Sequence, residues 1–152
     1  QESGRRAGTE AVPLIAGMAK ALEVFDSSQT ERTNYVGQLR DQLQHALLKS
    51  CAPAIVHGAD APRLPNTLSI AFPGVEGEPM LVNLDLEGIA CSLGSTCASG
   101  SAEPAPALLA MGCPPDICTS SVRFTVSHQN SVEEIPEAAQ RIAAVVQRLR
   151  NS

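Results

Sequence analysis

Two short runs in this 152-residue chain alternate apolar and polar residues with period two, and they constrain the fold more than any other feature. Leu68, Ile70 and Phe72 alternate with Ser69 and Ala71; Val122, Phe124 and Val126 alternate with Ser121, Arg123 and Thr125. Such runs are half-buried strands, and a strand with one apolar face must lay it against something. Helical spacing supplies the cover. Val12, Ile15, Ala19, Leu22 and Phe25 recur every three or four residues, as do Val36, Leu39, Leu43 and Leu47. Met80, Leu81 and Leu84 form a third stripe, and Ile135, Ile142, Val145, Val146 and Leu149 a fourth. Short strands interspersed with helices predict an α+β fold, a small, mostly antiparallel sheet covered by helices. Aromatics are only 3% of the chain, so aliphatic side chains must fill its core.

Local signals set the expected boundaries. Pro13 fits only the first turn of the first helix. A break at Ser27 to Thr30 precedes the second helix, which Pro53 ends. Ile55-Val56 is a short strand, and Asp60 to Asn66 a loop with two prolines. Pro73-Gly74 closes the first alternating run. The spacing predicts a third helix over Glu78 to Glu87 with Gly88 as its stop. Ile89-Ala90-Cys91 reads as a short buried strand, and Pro104 to Met111 as a short helix closed by Gly112. Ser131 and Glu134 have capping-box spacing for the last helix. Pro136 lies close inside it and moves the expected start a few residues later.

Composition excludes several roles. A formal net charge of −5 leaves no basic stripe for a nucleic-acid partner. No apolar run approaches a membrane span, and the opening residues carry no signal-peptide pattern, so none is expected. Five cysteines at irregular spacing fit a reducing, cytoplasmic setting rather than a disulfide framework.

Three places can carry chemistry. Cys97 stands in Gly94-Ser95-Thr96-Cys97-Ala98-Ser99-Gly100-Ser101, a run of small, flexible residues in which a thiol can be exposed and can swing. Arg123 leaves its strand on the polar face, where its fork can clamp a carboxylate or simply be solvated. Arg5-Arg6-Ala7-Gly8-Thr9-Glu10 leads into a helix as an anion site would, although Thr9 also serves as a plain N-cap. Cys113 and Cys118 enclose four residues, and Cys91 and Cys97 lie further apart still, so no metal site is assigned. Cys51 and Cys91 read as small buried hydrophobes. His45, on its helix, reads as a surface residue, and neither it nor His57 nor His128 is paired with a nucleophile in sequence.

Six segments in order resemble a cysteine desulfurase of the NifS/IscS type, among the class V aminotransferase-like enzymes that use pyridoxal phosphate. They are Gln1 to Glu10, Pro65-Asn66-Thr67-Leu68, Val75-Glu76-Gly77-Glu78, Gly94 to Ser101 with Glu103-Pro104, Leu108 to Gly112, and Ser121-Val122-Arg123-Phe124. The resemblance implies the C-terminal small domain of a fold-type I transferase: residues 1–27 a phosphate-contact lead-in and interdomain helix, residues 28–152 the small domain with its cysteine loop at about 92–103. It further implies that L-cysteine is held on pyridoxal phosphate and that Cys97 takes its sulfur as a persulfide, releasing alanine. The sulfur then passes to an acceptor such as an iron–sulfur scaffold. Arg123 would hold the substrate carboxylate, and Thr9 the cofactor phosphate of the other subunit of a homodimer.

The chain departs from that pattern in three ways. Ala11 stands where the family often has asparagine, and Thr125-Val126-Ser127-His128 replaces a more basic run. The large domain with the family's cofactor lysine has no counterpart, since the only lysines are Lys20 and Lys49 on amphipathic helices. The chain, which starts without methionine, is therefore expected to be a piece of the enzyme, inactive alone. Two other readings stand beside this one: a cofactor-independent persulfide carrier using Cys97, and an inert interaction module.

Overall fold

The computed structural model describes residue 4, residues 7–93 and residues 104–152. The chain forms two compact units, residues 1–32 and 33–152. The first is dominated by helix α1 (Val12–Ser27), which has Pro13 in its first turn, where a missing N–H costs nothing. Val12, Ile15, Leu22 and Phe25 of its apolar stripe are all exposed.

The second unit is built on a four-stranded antiparallel sheet. Its strands are β1 (Ile55–Val56), β2 (Thr67–Ala71), β3 (Ser92–Leu93) and β4 (Ser121–Thr125), in the order β1-β2-β4-β3. Leu68 pairs with Phe124 and Ile70 with Val122, so the two alternating runs present one continuous apolar face. Helices α2 (Gln29–Ser50), α3 (Gly77–Leu86) and α6 (Glu134–Arg150) supply the rest of that core. Val36, Leu39, Leu43 and Leu47 of α2 are buried, as are Met80 and Leu84 of α3. Leu81 is only half-buried. Ile135, Ile142, Val145 and Val146 of α6 are buried with Ala139 and Ala143. Each fully buried aliphatic side chain contributes about 1.5–3 kcal/mol, which makes this cluster the fold's main support.

Gly77 is the point where α3 can approach the sheet. A Cβ there would lie 2.7 Å from the Thr119 carbonyl oxygen and 3.1 Å from Leu93 Cδ2. The capping box of the last helix forms as the spacing predicts. The Ser131 N–H donates to Glu134 Oε2 at 2.8 Å, and the Glu134 N–H to Ser131 Oγ at 3.3 Å. Helix α6 proper starts at Glu134, so Pro136 falls in the first turn and removes no intrahelical bond.

Two expectations need correction. Ile89-Ala90-Cys91 is not a strand, and the strand comes directly after it, at Ser92–Leu93. Gly88 takes a left-handed φ of 73° to end α3. Its N–H donates to the Asp85 carbonyl, and the Ile89 N–H reaches the Leu84 carbonyl at 2.8 Å. This Schellman closure uses Ile89 as the apolar latch of the helix end, and sheet pairing begins only once it is complete. The second correction lies after α4 (Pro106–Ala110), where Pro115–Thr119 forms a further helical turn, α5. At five residues it is too short to show a period.

Candidate functional site

The strand β4 carries Arg123 on the sheet face opposite the core, because Val122 and Phe124 point inward. Its register partners are Ser69 on β2 and Ser92 on β3. Residues directly opposed in antiparallel strands share a face, so Arg123 stands in a polar row between two serines. Its Nη2 donates to Ser92 Oγ at 3.0 Å, and the Ser92 hydroxyl donates to the Leu93 carbonyl at 3.3 Å. Among the described residues Ser92 is the one hydrogen-bond partner of this guanidinium. One side of the fork is held, and Arg123 remains exposed with donors left for a planar acceptor such as a carboxylate. Sequence reasoning passes over Ser92 because it lies one residue beyond the segment whose spacing suggests a strand.

The chain leaves β3 at Leu93, and Cys97 follows four positions later in sequence. Cys97, with the rest of residues 94–103, lies outside the described residues. Thr9 belongs to the first compact unit and is exposed. It is not the N-cap of α1: that position is Ala11, which makes no side-chain capping bond.

A second polar cluster occupies the same sheet face. Ser121 stands two residues before Arg123 on β4, roughly 7 Å away along the strand. Its hydroxyl lies 2.8 Å from His57 Nε2, and His57 Nδ1 lies 3.5 Å from Cys113 Sγ. His57, unpaired with any nucleophile in sequence, thus meets a thiol and a hydroxyl in space. Burial pushes its pKa below the usual imidazole value. Burial also pushes the Cys51 thiol up, with Ser50 and Arg150 opposing the shift. The Cys118 thiol is raised for the same first reason.

Residues 1–137 match the family model of aminotransferase class-V. The chain belongs to the aminotransferase class-V family. Over 152 residues it is 43% identical to a cysteine desulfurase of Sinorhizobium fredii (strain NBRC 101917 / NGR234), covering all of this chain and 39% of that protein. Over 150 residues it is 40% identical to a cysteine desulfurase of Klebsiella pneumoniae, covering 99% of this chain and 38% of that one. Among solved structures, a NifS-like protein superposes with a TM-score of 0.79 at 29% identity, over 98% of this chain and 37% of its own. A NifS-like protein from Rickettsia africae ESF-5 gives a TM-score of 0.76 at 26% identity, over all of this chain and 38% of its own. The chain therefore spans under two-fifths of the length of these relatives.

The α+β architecture expected from the two alternating runs is the one this class-V chain shares with the NifS-like structures. Among its described residues no three His, Cys, Asp or Glu side chains group as metal ligands, and no helix is long and apolar enough to cross a membrane. The four described cysteines are free thiols.

Proposed function

We propose that this class-V chain is the sulfur-bearing portion of a pyridoxal-phosphate-dependent cysteine desulfurase. In this reading residues 1–27 are the phosphate-contact lead-in with its interdomain helix, and residues 28–152 the small domain. The observation that carries the proposal is the Arg123–Ser92 pair, a guanidinium anchored on one side and open on the other, on the strand pair from which the chain enters the Cys97 segment. The relatives named cysteine desulfurase, at about 40% identity, support it.

Arg123 binds the carboxylate of L-cysteine through its outward donors, and Ser92 stops the fork from rotating away. That orients the substrate sulfur toward Cys97. The Cys97 thiolate forms a new S–S bond as the substrate C–S bond breaks. One thiol and one cysteine give one persulfide and one alanine, with no external oxidant. The Gly/Ser context of Cys97 suits a thiol that must then deliver sulfur to a cytoplasmic acceptor protein, such as an iron–sulfur scaffold.

Pyridoxal phosphate supplies the electron sink for C–S cleavage when bound. The first unit fits its phosphate: Thr9 is exposed, and the N-cap residue of α1, Ala11, makes no side-chain capping bond. Thr9 would act on the cofactor of the other subunit in a homodimer. For the cofactor aldehyde the chain offers no such fit. Lys20 and Lys49 are exposed on α1 and α2, and Lys20 is ion-paired with Glu23 at 2.9 Å. The isolated chain should consequently be inactive.

The test is the complete polypeptide that contains this chain, loaded with cofactor and given L-cysteine, with alanine and the mass of the Cys97 peptide followed together. Alanine release with one added sulfur on Cys97 is expected, and Arg123→Lys should raise KM far more than it lowers kcat. Absence of both products from the loaded protein, or sulfur loading of Cys97 by a persulfide donor with no response to cofactor, would leave a carrier in place of the enzyme.

A further inference from the structure

We propose that Cys113, His57 and Ser121 form a thiol–disulfide exchange site that takes small-molecule disulfides. The hydrogen bonds determine which nitrogen of His57 holds the proton. Ser121 Oγ lies 2.6 Å from the Ile117 carbonyl, which can only accept, so the Ser121 hydroxyl must donate there. Its oxygen is then the acceptor for His57 Nε2, 2.8 Å away, and Nε2 carries the ring proton. Nδ1 is left as a lone pair, and the group facing it, at 3.5 Å, is Cys113 Sγ. The relay runs one way, from thiol to imidazole to hydroxyl to carbonyl.

Position makes the relay chemically useful. His57 and Ser121 are buried, so the base is locked in orientation. Cys113 is only half-buried, between exposed Gly112 and exposed Pro114, while Cys51 and Cys118 are sealed. Burial favours the neutral imidazole, so the lone pair is available at neutral pH. Nucleophile, base and a third group orienting the base are the parts of an activated thiol.

The exchange balances without a further reactant. Cys113 gives its proton to His57 Nδ1, and its sulfur bonds to one sulfur of the disulfide as the original S–S bond breaks. The other half leaves as a thiolate and takes the proton back from Nδ1. Cys113 is oxidised and the departing thiol is reduced. An ordinary thiol is about 3% thiolate at pH 7, so an adjacent base has up to about 30-fold to supply. This site does not depend on the desulfurase reading, because neither Cys97 nor a cofactor takes part.

Oxidised glutathione is the probe, applied to the reduced full chain, with acid quenching and tandem mass mapping of every cysteine. A glutathione adduct should form on Cys113 ahead of Cys51 and Cys118. His57→Gln should slow it about tenfold, within the range set by the thiolate fraction. Ser121→Ala, which keeps the imidazole but releases the tautomer, should slow it less. Cys97 labelling should be the same in all variants. Protection of Cys51 reports that each variant is folded; should His57→Gln expose Cys51, Ser121→Ala decides. A Cys113 rate unchanged by the deciding variant, or no faster than that of Cys118 in the parent chain, overturns the proposal.

Discussion

Removing the Arg150 guanidinium should cost this domain about 4 kcal/mol, with the two part-buried bonds taken at the low end of their range, more than most surface arginines contribute. Arg150, on the last turn of α6, donates from Nη1 to the carbonyls of Cys51 at 2.9 Å and Ala52 at 3.0 Å. Its Nη2 reaches the Pro53 carbonyl at 2.6 Å, and its Nε the Pro73 carbonyl at 3.2 Å. One side chain thus ties α6 to the end of α2 and to the turn after β2. A hydrogen bond from a charged donor is worth about 1.5–3 kcal/mol when its acceptor is withdrawn from water, and about 0.5 kcal/mol when the acceptor can be rehydrated. The bonds to Cys51 and Pro73 are part-buried, and those to Ala52 and Pro53 are exposed. Arg150→Met retains the stem's packing and loses all four. Urea unfolding should show a lower midpoint at unchanged slope, and Tm should fall by about 10 °C for a chain of this size. Lysine cannot span four carbonyls from one ammonium, so Arg150→Lys should recover less than half. A loss of about 2 kcal/mol or less in Arg150→Met would refute the reasoning, because it would mean that all four carbonyls find water equally well.

Three further outcomes follow from single observations. Gly77→Ala must force the added methyl against the Thr119 carbonyl, a backbone atom that cannot swing aside, and should destabilise by about 1–3 kcal/mol in the same urea assay. Ser131→Ala breaks one half of the capping box and should cost about 1 kcal/mol, measured as a shifted thermal midpoint. His57 binds its proton less readily folded than unfolded, so below about pH 6.5 the unfolded chain takes up a proton that the native one refuses. Its contribution is complete above that pH and declines as pH falls toward the lowered native value; His57→Gln should flatten that slope in a pH series of urea midpoints.

The sheet was legible because each alternating run carries its own instruction. Leu68, Ile70 and Phe72 could face only one way, and so could Val122 and Phe124; pairing them in register made one apolar surface. The capping box was legible for the same reason, since both halves lie within four residues. Ser92 was not, because what decides its role is where α3 finishes closing. Ile89 looks like strand and serves as a latch, and nothing local distinguishes the two uses. The five-residue α5 offers too few positions for a period, and it brings the Ile117 carbonyl to Ser121.

His57 marks the limit of reading along the chain. Its partners lie 56 and 64 residues away, so no spacing rule could associate them. Each of the three residues has an ordinary local explanation: a histidine after a short strand, a cysteine closing a helix, a serine opening a strand. The sheet register turns these into one relay. Ile55 pairs with Ala71 and Ala71 with Ser121, which places the end of β1 diagonally across β2 from the start of β4. The same register places Arg123 between Ser69 and Ser92. Both polar clusters are therefore consequences of a strand pairing whose driving force lies on the other, apolar face. A change that slipped β4 by one residue would turn Arg123 and Ser121 into the core together, and it would abolish both sites before any residue in either had been altered.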